Sequence, residues 1–298
     1  MIRYSFLILI ILMAAICCNG QKMAEDYYYH HGAAKYQDDG NLKEAAFQDL
    51  KYLVEHHPRS KYCIDAYYAI GGYYEEKGDD YQAINAYRAI LDRFEKYLDK
   101  DSTLSASSSI PNATNKLVDL YEKTGKYDSA IYFLYVYDTV LHLFYGCGTG
   151  LEYEQAARTG RISDLYEKNN QVSQAKKVLL AGYVFNGEWS DPVILEHIIG
   201  RLKNLFKKHD DPAQLKAEIE ISVNNYYFDT VYRDISGADT FVLCNINFAG
   251  VEIRHYYKAY LSDGTIIDDI QTGREMPDRE AIIAYLKKSE LYKMVQEL

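Results

Sequence analysis

Apolar residues recur along most of the chain at the spacing of helices. Between residues 64 and 97 they fall three and four residues apart in two blocks, with a short polar stretch around Gly78 between them. This spacing places apolar side chains on one face of a helix. Because glycine tolerates a positive φ, Gly78 marks the reversal between the two blocks. The segment is therefore predicted to form a helical hairpin.

The same pattern recurs in three further copies. Each copy has an apolar first block, a turn residue, and a second block whose buried stripe begins at an alanine. The first copy contains Tyr36, Gly40, Ala46, Leu50, Leu53 and Pro58, the third contains Leu117, Tyr121, Gly125, Tyr127, Ala130 and Leu134, and the fourth contains Ile162, Tyr166, Asn170, Ala175 and Leu179. Asn170 replaces the turn glycine, and asparagine is the next most tolerant residue there. Four copies in order indicate a repeat architecture.

In the second copy the residue types can be compared with a known motif. Six residues of this copy reproduce the spacing W-x2-L-G-x2-Y followed by A-x3-F: Tyr67, Ile70, Gly71, Tyr74, Ala83 and Tyr87. Tyr67 replaces Trp, Ile70 replaces Leu and Tyr87 replaces Phe. The chain thus resembles the tetratricopeptide repeat family. The resemblance implies an α-solenoid of stacked hairpins, in which the first helix of each repeat lines a concave protein-binding face.

Two further helices follow the repeats. One is predicted from Pro192 to Phe206, and Asp211 with Pro212 begins another that runs to about Val223. This pair is interpreted as a fifth, diverged hairpin that caps the stack. The predicted solenoid therefore spans residues 24–224.

The C-terminal part has the alternating period of strands. Residues 241–248, 251–261 and 265–270 are predicted as three strands of a small meander, with turns at Ala249-Gly250 and after residue 261. Asp278 is predicted to cap a final helix from Arg279 to about Met294. Residues 225–298 are accordingly expected to form a small β-rich domain, so the fold class is mainly α.

The N-terminal segment has the pattern of an export signal. Arg3 precedes an unbroken apolar run from Phe6 to Ile16, which is shorter than the ~20 residues of a membrane-spanning helix. Cys17-Cys18 follows the run, and this arrangement resembles a bacterial lipoprotein signal, residues 1–18, with Cys18 lipidated. Lipidation of Cys17, ordinary cleavage after Gly20 and an uncleaved anchor are the alternatives.

Composition narrows the function classes. A net charge of -10 argues against a nucleic-acid partner. Cys63, Cys147 and Cys244 are too few and too far apart for a disulfide framework or a metal pair, and neither a metal nor a cofactor is predicted. The sequence contains no HExxH, GxSxG or P-loop motif. Residues 99–109 and the glycine-rich residues 146–150 are predicted as loops.

Exposed positions on the first helices are the candidate binding residues. The partner-binding groove is predicted to include Tyr68, Glu75, Asn115, Asp119, Glu122, Asp164 and Glu167. Because most of these are acidic, a basic or polar polypeptide is the expected partner; the alternative is a solvated face without a ligand. Most of the 31 tyrosines follow the repeat pattern, and those outside it, Tyr27–Tyr29, Tyr68 and Tyr256-Tyr257, are further candidate contacts.

These patterns favour a non-enzymatic protein-interaction scaffold. It is expected to be exported, anchored through lipid in the bacterial cell envelope, and to bind a polypeptide in its groove. One alternative is an enzyme with a site in residues 225–298, built from Asp268, Asp269, His255 and Asn247, with the repeats recruiting the substrate. The other is a structural component of a surface assembly.

Overall fold

A computed structural model describes residues 22–30, 44–97, 108–141, 148–186, 191–233, 240–258 and 278–298. The chain divides into two compact units, unit 1 (Met1–Tyr145) and unit 2 (Gly146–Leu298). The helices described in unit 1 are α1 (residues 22–30), α2 (Glu44–His56), α3 (Cys63–Glu76), α4 (Asp80–Tyr97), α5 (Ser109–Lys123) and α6 (Tyr127–Leu141). Those of unit 2 are α7 (Gly148–Lys168), α8 (Val172–Asn186), α9 (Pro192–His209), α10 (Pro212–Asn224), α11 (Arg279–Leu286) and α12 (Glu290–Gln296).

Three predicted turns separate the two helices of a hairpin. Gly78 lies between α3 and α4 with φ of 74°, and Gly125 lies between α5 and α6 with φ of 71°. Asn170 takes the same position between α7 and α8 with φ of 58°. All three adopt the left-handed conformation that glycine and asparagine tolerate best. The hairpins predicted for copies two, three and four are confirmed.

The buried stripe of each second helix begins at the predicted alanine. Ala46, Ala83, Ala130 and Ala175 are all fully buried. Within unit 1, α3 contacts α4 and also α5, the first helix of the next hairpin; within unit 2, α7 contacts α8 and α9 in the same way. This order of contacts is that of stacked repeats and confirms the helical-repeat fold within each unit. Tyr36 and Gly40 lie outside the described residues.

Two predicted loops are partly helical. The prediction of a loop over residues 99–109 is wrong at Ser109, where α5 begins. The prediction of a loop at the glycine-rich residues 146–150 is wrong for residues 148–150, which form the first turn of α7. Ala156 and Arg158 are buried in α7, so the packed stripe of this helix extends well before the predicted fourth copy. The other residues of the two loops lie outside the described ranges.

A three-stranded antiparallel sheet lies in unit 2. Its strands are β1 (Tyr227–Arg233), β2 (Thr240–Phe248) and β3 (Val251–Lys258), in the order β1-β2-β3. The predicted turn between β2 and β3 is confirmed, with positive φ at Ala249 and Gly250. Strand β1 was not predicted, because an irregularity between Phe228 and Val231 breaks its alternation. The strand predicted at 265–270 lies outside the described residues.

The sheet packs against helices of unit 2. Cys244, Ile246 and Phe248 of β2 and Ile253 of β3 belong to one hydrophobic core with buried residues of α7–α12. The rings of Phe206 and Phe248 meet edge to face with centroids 5.9 Å apart, joining α9 to β2. The described part of residues 225–298 therefore shares its core with the preceding helices, while the domain boundary at residue 225 stays a prediction.

The final helix predicted from Arg279 to Met294 is two helices. Ser289 lies between the two helices and caps the start of α12: its hydroxyl donates to the carbonyl of Leu286, the last residue of α11, at 2.8 Å and accepts from the Tyr292 amide at 3.3 Å. A serine that satisfies both helix ends favours a break over a continuous helix. The predicted cap at Asp278 is confirmed, since its carboxylate accepts from the Glu280 amide.

Candidate functional site

Consecutive first helices enclose a polar cleft in each unit. Cleft 1, between α3 and α5 in unit 1, is a cavity of about 240 Å³ lined by Glu75, Asp80, Lys116, Asp119, Leu120 and Lys123. Cleft 2, mainly between α7 and α9 in unit 2, is a cavity of about 520 Å³ lined by Ser163, Asp164, Glu167, Leu179, Glu196, His197, Gly200, Arg201, Asn204, Leu205 and Lys208. Both clefts lie between consecutive first helices, which is where the repeat pattern predicts the binding face.

Ion pairs join the two helices across cleft 1. The Lys116 ammonium on α5 lies 2.8 Å from a carboxylate oxygen of Glu75 on α3. Lys123 lies 2.7 Å from Asp80 at the start of α4. The hydrogen bond to Glu75 raises the pKa of Lys116 above its ordinary value. The predicted groove residue Glu75 therefore holds two neighbouring hairpins together as well as lining the cleft.

Cleft 2 is joined in the same way. A guanidinium nitrogen of Arg201 on α9 lies 2.6 Å from both carboxylate oxygens of Asp164 on α7. It also donates to the Gly160 carbonyl at 3.2 Å. A Cβ atom at Gly160 would lie 2.7 Å from Arg201 Nε. The absence of a side chain at Gly160 therefore lets the Arg201 side chain pack directly against α7. The Arg201 guanidinium is thus fixed at the base of the cleft.

A second set of pairs lies one turn further along α7 and two turns further along α9. Glu167 on α7 accepts from Lys208 Nζ at 2.7 Å and lies 2.8 Å from His209 Nε2. The bond with His209, followed by that with Lys208, holds the pKa of Glu167 below its ordinary value. Burial, with the nearby Arg201 charge, lowers the pKa of His197, so this imidazole is neutral at pH 7.

The two clefts have the same balance of charge. Cleft 1 is lined by three carboxylates, those of Glu75, Asp80 and Asp119, and by two lysines. Cleft 2 is lined by the carboxylates of Asp164, Glu167 and Glu196, and by two permanent cations, Arg201 and Lys208. Each cleft therefore carries one formal negative charge on a mixed polar lining.

The predicted groove residues divide into two groups. Glu75 and Asp119 line cleft 1, and Asp164 and Glu167 line cleft 2. The other three lie on the first helices beside the residues that line cleft 1. The ring centroid of Tyr68 on α3 is 5.6 Å from that of Tyr87, and Asn115 and Glu122 are half-buried on α5. The role of all seven in binding stays a prediction.

Sequence reasoning missed the cleft residues of α9. His197, Arg201, Asn204 and Lys208 are spaced four, three and four residues apart, so they share one helix face. That spacing was visible in the sequence. It was overlooked because the helix was interpreted as part of a cap, whereas a helix that follows a repeat can also supply the second wall of the last cleft.

Two of the four candidate catalytic residues of the alternative enzyme, His255 and Asn247, lie in the described ranges, and they do not face a common pocket. His255 is buried on β3 beside Cys244, its partner in the register. Asn247 is exposed and lies on the other face of the sheet, since it pairs with Glu252. Asp268 and Asp269 lie outside the described residues. The arrangement of His255 and Asn247 gives no shared pocket for acid-base chemistry.

The described cysteines and acidic side chains form no further reactive or metal-binding cluster. Cys63 and Cys244 are buried thiols outside any disulfide of the described residues, and Cys63 donates to the His57 carbonyl at 3.3 Å. Burial raises the pKa of Cys244 to about 12. Within the described ranges no cluster of three or more His, Cys, Asp or Glu side chains has an arrangement able to hold a metal ion. None of the helices in those ranges has the length and apolar character needed to span a bilayer. Cys17, Cys18 and Cys147 lie outside these ranges.

Neither a model of a known protein family nor a curated protein sequence matches the chain. Among solved structures it is similar to a kinesin light chain protein of Podospora anserina with nearly identical TPR-like repeats, at 15% identity over 66% of this chain and 92% of that one, with a TM-score of 0.40. It is also similar to BtubC (BKLC) from P. vanneervenii, at 14% identity over 71% and 94%, with a TM-score of 0.36. The description of the repeats therefore rests on the geometry of this chain.

Proposed function

We propose that this protein is a non-enzymatic scaffold that binds a polypeptide in the clefts between its first helices. The observation that carries the proposal is the recurrence of one cleft design in both units. In each, an ion pair joins consecutive first helices, beneath a polar lining with one excess carboxylate. Stacked hairpins expose such preformed surfaces, to which an extended segment binds with little reorganisation of the scaffold.

The charge of the clefts specifies the kind of segment. Glu75, Asp164 and Glu167 are already paired with cations, so they add little net attraction for a basic partner. With three carboxylates and two permanent cations in its lining, each cleft keeps one formal negative charge. The partner is accordingly a polar segment with a modest positive charge and side-chain amides or hydroxyls, recognised by hydrogen bonds as well as by charge.

Removing one carboxylate from each cleft tests this preference. The partner is first recovered by cross-linking in the envelope and pulldown. The double variant Asp119→Asn/Glu196→Gln is expected to bind it about 3- to 10-fold more weakly at low salt, since an exposed charge pair contributes ~0.2–1 kcal/mol. The difference should shrink at about 0.5 M salt, where the Debye length falls below 5 Å.

A matched control keeps the net change in charge the same. Glu55→Gln/Glu290→Gln also removes one carboxylate from each unit, but from residues that line neither cleft: Glu55 lies on α2 and Glu290 on α12. This variant should bind as the wild type does. Equal weakening in both double variants would mean that overall charge, and not the clefts, attracts the partner.

The proposed location is the bacterial cell envelope, with the chain anchored through lipid on Cys18. The support is the sequence: a charged start, the apolar run Phe6–Ile16 and the cysteine pair that follows it. A lipid anchor would hold the scaffold on a membrane without spanning it and restrict its partners to that surface.

Metabolic labelling with a fatty-acid probe tests the anchor. The wild type and Cys17→Ser are expected to carry the label, and Cys18→Ser is expected to lose it completely. Loss in Cys17→Ser alone would move the site to Cys17. An unlabelled wild type would contradict the lipoprotein proposal and leave the scaffold proposal intact, since the clefts do not depend on the anchor.

A further inference from the structure

Helix α1 is docked on the first described hairpin elements of unit 1 through aromatic rings. Tyr29 stacks on Tyr62 with centroids 4.3 Å apart, and Tyr28 lies against Tyr52 of α2 at 4.5 Å. The Tyr62 hydroxyl also donates to the Asp26 carboxylate at 2.6 Å. Ring contacts of this kind add to the burial of apolar area. They hold α1 as a fixed part of the unit.

The opposite side of α1 is exposed and partly apolar. Met23 is 73% exposed and Tyr27 is 58% exposed. They are four residues apart, so the two side chains share one stripe of the helix. His30, at the end of the described helix, contacts the docked side instead, since its ring meets that of Tyr62 edge to face with centroids 5.8 Å apart. Lys22 is exposed beside this stripe. One face of α1 is thus used for docking on α2 and Tyr62, while the other presents apolar and aromatic side chains to the surroundings.

The proposed lipid attachment lies very close to this stripe in the chain. Only three residues separate Cys18 from Lys22, the first described residue of α1. Four peptide steps span at most about 14 Å when fully extended. A chain lipidated at Cys18 therefore keeps the start of α1 within that distance of the point where its acyl chains enter the bilayer.

We infer that the stripe formed by Met23 and Tyr27 is a membrane-contact surface that lies in the lipid headgroup region; the inference rests on the proposed anchoring through Cys18. Tyrosine favours this region because its ring is apolar and its hydroxyl is polar, and methionine adds a flexible apolar chain. Lys22 would approach lipid phosphates. Since α1 is docked on α2 and Tyr62, contact through the stripe fixes the orientation of unit 1 on the membrane.

Brominated-lipid quenching of tryptophan tests the contact on the full-length, membrane-bound chain. Trp189 is the single tryptophan, so Trp189→Phe supplies a silent background. In it, Tyr27→Trp is compared with Tyr132→Trp. Tyr132 on α6 is a matched control because its exposure, 59%, is within one percentage point of that of Tyr27, 58%. The helices α2–α5 lie between the two residues in the chain. Fatty-acid labelling of each variant is recorded in parallel, and far-UV circular dichroism confirms unchanged helix content.

Quenching at position 27 at least about twofold greater than at position 132, with a blue-shifted emission, is the expected result for a residue in the interface. Equal quenching at the two positions in lipid-labelled protein would overturn the membrane-contact surface while the anchor stands. Absence of label together with absence of quenching would overturn the anchor, and the inference with it. The scaffold proposal depends on neither outcome.

Discussion

Replacing Gly71 with alanine is expected to lower the free energy of unfolding by about 1–3 kcal/mol. A Cβ atom at this position would lie 2.5 Å from the ring of Tyr87, well inside contact distance. Tyr87 is 1% exposed and sits on the facing helix α4, so its ring has little room to move. The close approach of α3 and α4 therefore depends on the absence of a side chain at Gly71. Chemical denaturation followed by circular dichroism measures the change.

The neighbouring residue provides the control. A Cβ at Gly72 would have only the Tyr87 hydroxyl within reach, at 4.0 Å. Gly72→Ala should stabilise the helix by about 0.5–1 kcal/mol, because alanine is the better helix former. In a Tyr87→Leu background the penalty of Gly71→Ala should largely disappear. Equal effects at Gly71 and Gly72 would contradict the proposed packing of this hairpin.

Truncation of Phe206 is expected to destabilise unit 2 by about 3–5 kcal/mol. The ring is fully buried, meets Phe248 of β2 edge to face, and lies under the Lys176 ammonium at 5.6 Å. Phe206→Ala removes the contact that joins α9 to the sheet. Hydrogen exchange should show faster exchange in α9, β2 and β3, while α3–α6 of unit 1 keep their protection.

Val193→Ala on the same helix is the matched control for Phe206→Ala. Val193 is 61% exposed, so its truncation should change stability by no more than about 0.5 kcal/mol. If Phe206→Ala left exchange in β2 and β3 unaltered, the sheet would not depend on α9. If exchange rose equally in both units, the two would unfold together, contrary to the division of the chain into two compact units.

The repeats could be predicted from sequence because their information is local. Each hairpin is specified by apolar spacing, a turn residue that accepts positive φ and a small residue at the helix contact, and all three are visible in one copy. Gly71 and Tyr87 show this most clearly, since both were assigned from the motif and then found in contact. The same reasoning predicted Asn170 as a turn residue.

The ion pairs across the clefts could not be predicted in the same way. Glu75 and Lys116 are 41 residues apart, and Asp164 and Arg201 are 37 apart, so their contact depends on how neighbouring hairpins stack. The sequence pattern identified the carboxylates but not the lysine and arginine side chains that pair with them. It therefore predicted a more negative groove than the two clefts have. Strand β1 was missed for a different reason, because its irregular pairing hides the period of two.

Site-specific photo-cross-linking in intact cells tests the central claim most directly. Probes replace Asp119 in cleft 1 and Asn204 in cleft 2, and matched probes replace Tyr132 on α6 and Ile221 on α10, two exposed residues that line neither cleft. If the clefts bind a polypeptide, adducts with a common protein partner form at Asp119 and Asn204 and not at the two control positions. Adducts of equal yield at all four positions, or at the controls alone, would contradict the account.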